Sequence, residues 1–159
     1  MHGANRTGRP FTGDHAGILL YQTLHEFGFG SHPVSESAND GLQLIGCRIT
    51  NAVKCLPPGN KPETAEIRQC NTYLKAELKG LADRTAILAL GNVAHAAVLM
   101  ALGLRAKTHP FGHGHAHTLE HGLTLYDSYH CSRYNTQTKR LTPEMFRAVF
   151  ARIKHDLEE

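Results

Sequence analysis

The sequence predicts an α/β fold in which a central parallel sheet lies between two layers of helices, giving three layers. Short apolar segments typical of buried strands alternate along the chain with amphipathic helical segments, and this alternation favours a parallel sheet covered on both faces. A chain of 159 residues is long enough for a hydrophobic core, so we expect residues 1–159 to form a single domain.

The first half of the chain contains two predicted helices and one predicted strand. A polar, Gly-rich loop is followed by a helix over residues 14–27, with Asp14 as its N-cap. The apolar run at 44–50 is typical of a buried strand, and residues 63–81 are predicted to form a helix. A doubly wound fold normally has a strand before its first helix, so we expect the first strand to be missing from this chain.

The second half repeats the alternation. Strands are predicted at 85–91 and 123–129, and a helix begins directly after the first of them, at Asn92. Residues 105–121 are predicted to be a His- and Gly-rich loop. A last helix begins with Thr142 as its cap and Pro143 in its first turn. Its predicted apolar face consists of Met145, Phe146, Val149, Phe150, Ile153 and Leu157.

Composition and charge exclude several classes of protein. Apolar residues make up 41% of the chain and charged residues 19%, which is typical of a globular protein. No apolar run has the length of a membrane span, and the N-terminus lacks the pattern of a secretory signal. Together with four cysteines, these features predict a cytoplasmic protein with reduced thiols or metal ligands. The net charge of +3 permits a nucleic-acid partner without establishing one.

Two cysteines stand in a setting that suits a metal. Cys55 lies in a Pro-Pro-Gly loop, and Cys70 follows fifteen residues later in the next predicted helix. Two cysteines alone favour buried structural thiols, whereas this setting favours thiolate ligands of a soft metal or of an iron–sulfur cluster. Such a cluster usually takes four cysteines, but Cys47 is expected in a strand and Cys131 in a different loop.

A short stretch contains five histidines, which are His109, His113, His115, His117 and His121. Alternating histidines in a loop are able to chelate a metal. The favoured interpretation is a mobile, partly protonated loop near a polyanion. A single loop without supporting carboxylates rarely fixes the geometry of a metal site.

Two further loops carry chemistry. "SYHCSRYNTQTKRLT" follows the last predicted strand and is dense in donors for phosphate, so its position at the carboxyl end of a strand predicts function. "GANRTGRPFTGD" has glycines that let the backbone approach a ligand, and it contains Asn5, Arg6, Arg9 and Phe11. Phe11 is either a local core residue or a stacking platform for a base.

Five segments together resemble the uracil-DNA glycosylase superfamily, most closely its iron–sulfur group and, within it, family 5 (type B). They are "NRTGRPFTGD", "RITNAVKCLPPGNKPETAEIRQC", "ALGNVAH", "FGHG" and "SYHCSRYNTQTKRLTPEMFRAVFARI", and they cover nearly the whole chain in order. The resemblance implies a monomeric DNA repair enzyme with a parallel sheet between helices. It would hydrolyse the N-glycosidic bond of uracil, or of other deaminated bases such as hypoxanthine, in double-stranded DNA and leave an abasic site.

The resemblance also implies roles for individual residues. Phe11 matches the aromatic residue that stacks on uracil, and Asn51 matches the base-reading Asn, whose amide offers both a donor and an acceptor. The family's His-Pro-Ser motif is His130-Cys131-Ser132 here, and His130 would stabilise the anion on the leaving base. Cys in place of Pro changes the stiffness of the loop but removes no catalytic atom.

Further residues complete the predicted site. Asp14 is the nearest carboxylate to these motifs, although helix capping explains it equally well, and Asn5 and Arg6 are expected to contact the substrate. Residues 132–138 would wedge into the duplex where the base is flipped out. The expected DNA contacts are Arg9, Ser132, Arg133, Asn135, Lys139 and Arg140.

The resemblance further implies a [4Fe–4S] cluster held by four cysteines, of which Cys55 and Cys70 would be two. The other two are expected in a C-x-x-C pair upstream of Met1, together with the first active-site motif, of Gly-Leu-Ala-Pro type. We therefore expect this chain to be an N-terminally truncated family member with impaired activity. One alternative is an inactive DNA-binding remnant that uses the arginines and lysines of the two loops. Another is a zinc-binding protein that uses Cys55, Cys70 and the loop histidines.

Overall fold

A computed structural model of the chain describes residues 15–33, 42–50, 71, 74–81 and 84–158. By its internal contacts the chain divides into two compact units. Unit 1 comprises Met1–Thr50 and Tyr129–Glu159, and unit 2 comprises Asn51–Ser128. Within the described ranges, no helix is both long and apolar enough to cross a membrane. The single domain expected over residues 1–159 stays a prediction.

The described sheet belongs to unit 2 and has three strands in the order β1-β3-β2. The strands are β1 (Ala86–Leu90), β2 (Ala116–Thr118) and β3 (Thr124–Ser128). β1 and β3 pair in parallel, from Ala86 opposite Thr124 to Leu90 opposite Ser128. Both of these strands were predicted from sequence, at 85–91 and 123–129, and the structure confirms them.

β2 corrects the prediction of a purely parallel sheet, because it pairs with β3 in the antiparallel direction. It lies inside the segment 105–121, which was predicted to be a loop throughout. Only residues 119–123, which include the 3₁₀ turn Glu120–Gly122, join β2 to β3. A connection that short permits antiparallel neighbours alone, since a parallel crossover needs a dozen or more residues. The described sheet is therefore mixed.

The predicted strand at 44–50 is wrong. The residues there form no strand, and Leu44 makes only an isolated bridge to Gly30. Gly46 has a φ of 67°, a left-handed conformation that interrupts extended backbone. Ile45 is 52% exposed and Cys47 only half-buried, so the run is not a buried core segment either.

The helix α2 (Asn92–Leu102) covers the sheet in unit 2 and was predicted correctly. It begins immediately after β1 at Gly91 and ends at Gly103, whose left-handed backbone is a common helix stop. The sequence predicts an apolar stripe of Val93, Ala97, Val98, Ala101 and Leu102 on this helix. It is buried at Ala97, Val98 and Ala101 and half-buried at Leu102, whereas Val93 is exposed. Residues 71 and 74–79 are also helical, within the helix predicted at 63–81. The core cluster consists of Leu74, Leu78, Ala89, Ala97, Val98, Leu99, Ala101 and Leu125.

Unit 1 is helical in its described part. α1 (His15–Glu26), the short α3 (Arg133–Gln137) and α4 (Pro143–Glu158) are its helices. The Thr142 side chain accepts a hydrogen bond from the Met145 amide at 3.2 Å, which confirms the predicted N-cap.

α1 and α4 pack against each other. The rings of Phe27 and Phe150 stack with centroids 6.1 Å apart, and Lys154 Nζ donates a hydrogen bond to the Phe27 carbonyl at 3.0 Å. The face predicted for the last helix is buried at Phe146, Val149, Phe150 and Ile153, whereas Leu157 is exposed.

Candidate functional site

The segment that follows β3 in the chain is built around His130. It leads into α3, where a loop was predicted. Ser132 caps this helix, since its side-chain oxygen accepts a hydrogen bond from the Asn135 amide at 3.2 Å. Asn135 Nδ2 in turn donates to the His130 carbonyl at 2.9 Å. The two contacts fix the backbone of His130 to the first turn of α3.

Cys131, the residue that departs from the family motif, is fully buried. Thr136 Oγ1 donates to the Ser132 carbonyl at 3.0 Å, and the Leu141 amide donates to the Asn135 carbonyl at 3.1 Å. Ser132 and Asn135 therefore both have structural roles within unit 1. Their expected contacts with DNA stay predictions.

Around α3 the side chains are cationic and exposed. Arg133, Lys139 and Arg140, all predicted to bind DNA, are exposed to solvent. Tyr134 is 68% exposed, which is unusual for a large aromatic side chain, and the sequence reasoning did not single it out. Lys139 has a φ of 62°, in the left-handed region that favours glycine. This surface could bind a phosphate backbone and stack against a base.

The other predicted site residues lie outside the described ranges. They are Asn5, Arg6, Arg9, Phe11, Asp14, Asn51, Cys55 and Cys70. Their roles stay predictions.

Unit 2 contains a second constellation, which sequence reasoning did not find. Asp127 of β3 is fully buried, and its two carboxylate oxygens contact different histidines. His95 Nδ1, from α2, lies 2.7 Å from Asp127 Oδ1, and His117 Nε2, from β2, lies 3.0 Å from Asp127 Oδ2. The elements α2, β2 and β3 thus meet at one carboxylate.

Backbone contacts hold this constellation in place. The Gly91 amide, at the start of α2, donates to the Ser128 carbonyl at 2.8 Å, which places the first turn of α2 beside the end of β3. The Asp127 amide donates to the His115 carbonyl at 3.0 Å, and the Gly114 amide donates to the Asp127 carbonyl at 2.9 Å. Asp127 is therefore fixed at its backbone by the same segment that carries His117.

Aromatic rings surround the two histidines. The ring of His95 contacts that of Phe111 with centroids 5.5 Å apart, and its Nε2 lies 2.7 Å from the His109 carbonyl. The rings of His109 and His115 lie 5.6 and 5.8 Å from the ring of His117. A carboxylate and two imidazoles in this arrangement can form a hydrogen-bonded triad or ligate a metal ion.

The expectation of a mobile histidine loop is corrected in part, because part of the segment is strand β2 and one of its histidines contacts a carboxylate. That expectation rested on the lack of a supporting carboxylate, and Asp127 provides one. A signal was present in the sequence. Asp127 interrupts an apolar strand, and a buried carboxylate in a protein almost always has a partner.

Comparison with known proteins gives one family and several relatives. The model of the uracil DNA glycosylase superfamily matches residues 1–154. The type-5 uracil-DNA glycosylase of Thermus thermophilus is 49% identical over 153 residues, which are 96% of this chain and 69% of the relative. The type-5 enzyme of Mycobacterium bovis is 45% identical over 96% of this chain and 58% of its own length. The type-4 uracil-DNA glycosylase of Sulfurisphaera tokodaii is 27% identical over 91% of this chain. The chain thus spans between 58% and 69% of the two type-5 relatives.

Proposed function

The chain belongs to the uracil-DNA glycosylase superfamily, and from that premise we propose that it excises uracil from DNA by hydrolysing the N-glycosidic bond. The proposal extends to other deaminated bases such as hypoxanthine, and the product is an abasic site. The observation that carries it is the similarity to type-5 uracil-DNA glycosylases over 96% of the chain.

In the proposed reaction the bond between C1′ of the deoxyribose and N1 of uracil breaks. The base leaves with the electron pair of that bond, and water supplies a hydroxyl group to C1′ and a proton to the base. His130 stabilises the negative charge that develops on the base, which lowers the barrier because this charge is larger in the transition state than in the substrate. The contact between Asn135 and the His130 carbonyl supports this role, since it restrains the backbone that carries the imidazole.

The remaining roles follow the family motifs. Asn51 reads the edge of uracil, Phe11 stacks on its face, and Asn5 and Arg6 contact the substrate. Asp14 is the candidate for orienting the water. The exposed cations of α3 and the segment after it hold the phosphates of double-stranded DNA.

The finer architecture and cofactor also belong to this proposal. We propose that the fold has three layers, with an additional first strand in the full family fold. We also propose that the protein is a monomer and is located in the cytoplasm. The proposal also includes a [4Fe–4S] cluster that takes Cys55 and Cys70 as two of its ligands. Among the described cysteines, Cys131 is fully buried and Cys47 donates its S–H to the Phe29 carbonyl at 3.5 Å. Neither is assigned to the cluster, and no step of the reaction is routed through it.

The test is excision from a duplex oligonucleotide with a single uracil, followed by alkaline cleavage of the abasic product. We expect His130→Ala to lower the excision rate by about 100- to 1000-fold, the range for loss of one group that stabilises a developing anion. The matched control is His25→Ala, which removes an exposed histidine of α1. Equal rates for the two variants would refute the role of His130.

A second candidate function, DNA binding without catalysis, is favoured by the exposed Arg133, Lys139 and Arg140. In that case the chain would bind duplex with an affinity that falls steeply with salt, and it would form no abasic product. Measuring binding and excision on the same oligonucleotide distinguishes the two functions.

A further inference from the structure

The carboxylate of Asp127 and the nitrogens of His95 and His117 lie within 4.8 Å of one another, in the interior of unit 2. We propose that these three side chains form a binding site for a zinc-like divalent transition-metal ion. The ligands would be His95 Nδ1, His117 Nε2 and the carboxylate of Asp127. The site uses none of the residues assigned to base excision, so it stands or falls independently of the proposed function.

The hydrogen bonding of His95 suits a ligand. Its Nε2 lies 2.7 Å from the His109 carbonyl, which can only accept a hydrogen bond. If an ion replaces the contact between Nδ1 and the carboxylate, the single N–H of a neutral imidazole stays on Nε2, and the lone pair of Nδ1 is then available to the ion. Metal-bound histidines almost always donate their other N–H to a carbonyl or carboxylate in this way.

The nitrogen–oxygen distances are shorter than those between the ligands of an occupied zinc site, by less than about 1 Å. Ligand atoms that each lie about 2.0–2.2 Å from zinc are roughly 3.3–3.6 Å apart when the geometry is tetrahedral. The nitrogen–oxygen contact of 2.7 Å would need to open by roughly 0.6–0.9 Å, and the one of 3.0 Å by roughly 0.3–0.6 Å. Side-chain rotation can supply this without moving the strands.

The charge balance also favours a cation. Asp127 is buried without any Lys or Arg in a described ion pair with it, and both of its described ion-pair partners are histidines. A divalent ion bound by this carboxylate and two neutral imidazoles would supply positive charge next to the buried carboxylate and would replace its two contacts with the imidazoles.

The ligand set indicates the kind of ion. Imidazole suits zinc and its first-row neighbours, whereas magnesium and calcium prefer sites made of oxygen. The His117 side chain is 12% exposed and provides the opening toward solvent. A water molecule or the imidazole of His109 or His115, whose rings contact that of His117, would complete the coordination. An ion here would join α2, β2 and β3.

The first test measures zinc binding by calorimetry on the full chain stripped with a chelator. The background is the variant Cys55→Ser/Cys70→Ser, which removes the two thiols proposed as cluster ligands. We expect about one ion per chain, and at least about 100-fold weaker binding after His117→Gln in that background. His25→Gln, in α1, is the matched control and should bind zinc like the background. Absence of stoichiometric zinc in the background, or equal affinity of the His117→Gln variant, would overturn the proposal.

The second test uses cobalt(II) with the unaltered chain and needs no substitution. Ligation by imidazole and carboxylate predicts the visible bands of low-coordinate cobalt without a thiolate-to-metal charge-transfer band. If that band accounts for all the bound cobalt, the metal is on the cysteines and the proposal fails. If the bound ion has only the weak spectrum of fully hydrated cobalt, Asp127 and its histidines form a hydrogen-bonded triad alone.

Discussion

Asp127 and His95 are 32 positions apart in the sequence, yet the carboxylate of one lies 2.7 Å from the imidazole of the other in the interior of unit 2. The carboxylate also contacts His117, so a single buried group connects a helix and two strands. Burying a charge is costly unless it is paired and hydrogen-bonded. The stability of unit 2 should therefore depend strongly on Asp127.

Replacing Asp127 by Asn tests this dependence. The amide keeps the shape but removes the charge that both histidines face, and breaking a buried pair costs about 3–5 kcal/mol. Chemical denaturation in the presence of a chelator should show a loss of that order in the free energy of unfolding. The matched control is Asp156→Asn, on the surface of α4 and 3.9 Å from Arg152, which should change it by less than about 1 kcal/mol. Equal stability of the two variants would contradict the central role of Asp127.

The sequence predicted local elements of this fold but not the contact between Asp127 and His95. α1, α2, α4, β1 and β3 were predicted because their signals are local, consisting of apolar periodicity, capping residues and glycines at the ends. The pairing of His95 with Asp127 depends on a contact between distant residues, which periodicity does not encode, and β2 has only three residues, too few for a periodic pattern. The strand predicted at 44–50 failed because Gly46 adopts a left-handed conformation within an otherwise β-prone run.

The candidate catalytic segment was located by its motif, but its local structure was not predicted. α3 has only five residues, too few for a periodic pattern, and it depends on the cap from Ser132. Sequence reasoning could therefore place His130 after a strand, but it could not show that Asn135 holds its backbone.

Asn135→Ala should separate a positioning role from a DNA contact. The substitution removes the donor to the His130 carbonyl, so we expect kcat for uracil excision to fall by about 10-fold while KM changes little. Gln137→Ala, an exposed position on the same helix, is the control. A rise in KM with unchanged kcat would instead indicate that Asn135 acts by holding the DNA.

Cys47 should react slowly with alkylating reagents at neutral pH. Burial raises the pKa of its thiol above the ordinary value of 9.0, so less of the reactive thiolate is present at any given pH. Burial favours the protonated thiol over the thiolate. The resulting contribution to the free energy of unfolding is fully present below the unfolded pKa and is lost as pH rises through the folded pKa. Iodoacetamide labelling at several pH values, followed by peptide mass spectrometry, should show slower modification of Cys47 in the native chain than in denaturant. Equal rates at pH 8 would contradict the raised pKa.

Tyr134 should matter for duplex substrates more than for single strands. Its ring is 68% exposed on α3, within the segment expected to enter the duplex beside the flipped base. Tyr134→Ala should leave the free energy of unfolding within about 0.5 kcal/mol, because little is buried. It should slow excision from a U·A duplex by about 10-fold or more, because lost stacking is worth about 1–3 kcal/mol per base. Excision from a single-stranded substrate should be unchanged. Tyr134→Phe, which keeps the ring, should behave like the unaltered chain. An equal loss of excision rate on duplex and single-stranded substrates in Tyr134→Ala would show that Tyr134 does not enter the duplex.

Lys139 has a left-handed backbone conformation just after α3. We expect this residue to lower the stability of unit 1 and to strengthen DNA binding. A side chain with Cβ in that conformation costs roughly 1–2 kcal/mol, whereas glycine adopts it freely. Lys139→Gly should therefore stabilise unit 1 by about 1 kcal/mol. If the ammonium group contacts a phosphate, the same variant should bind duplex DNA more weakly. The slope of the logarithm of its binding constant against the logarithm of the salt concentration should be less negative by about one unit. Arg140→Gln, which removes a neighbouring cation without changing the backbone, should lower affinity without the gain in stability. A Lys139→Gly chain that is more stable and binds DNA as tightly as the unaltered chain would show that this lysine makes no phosphate contact.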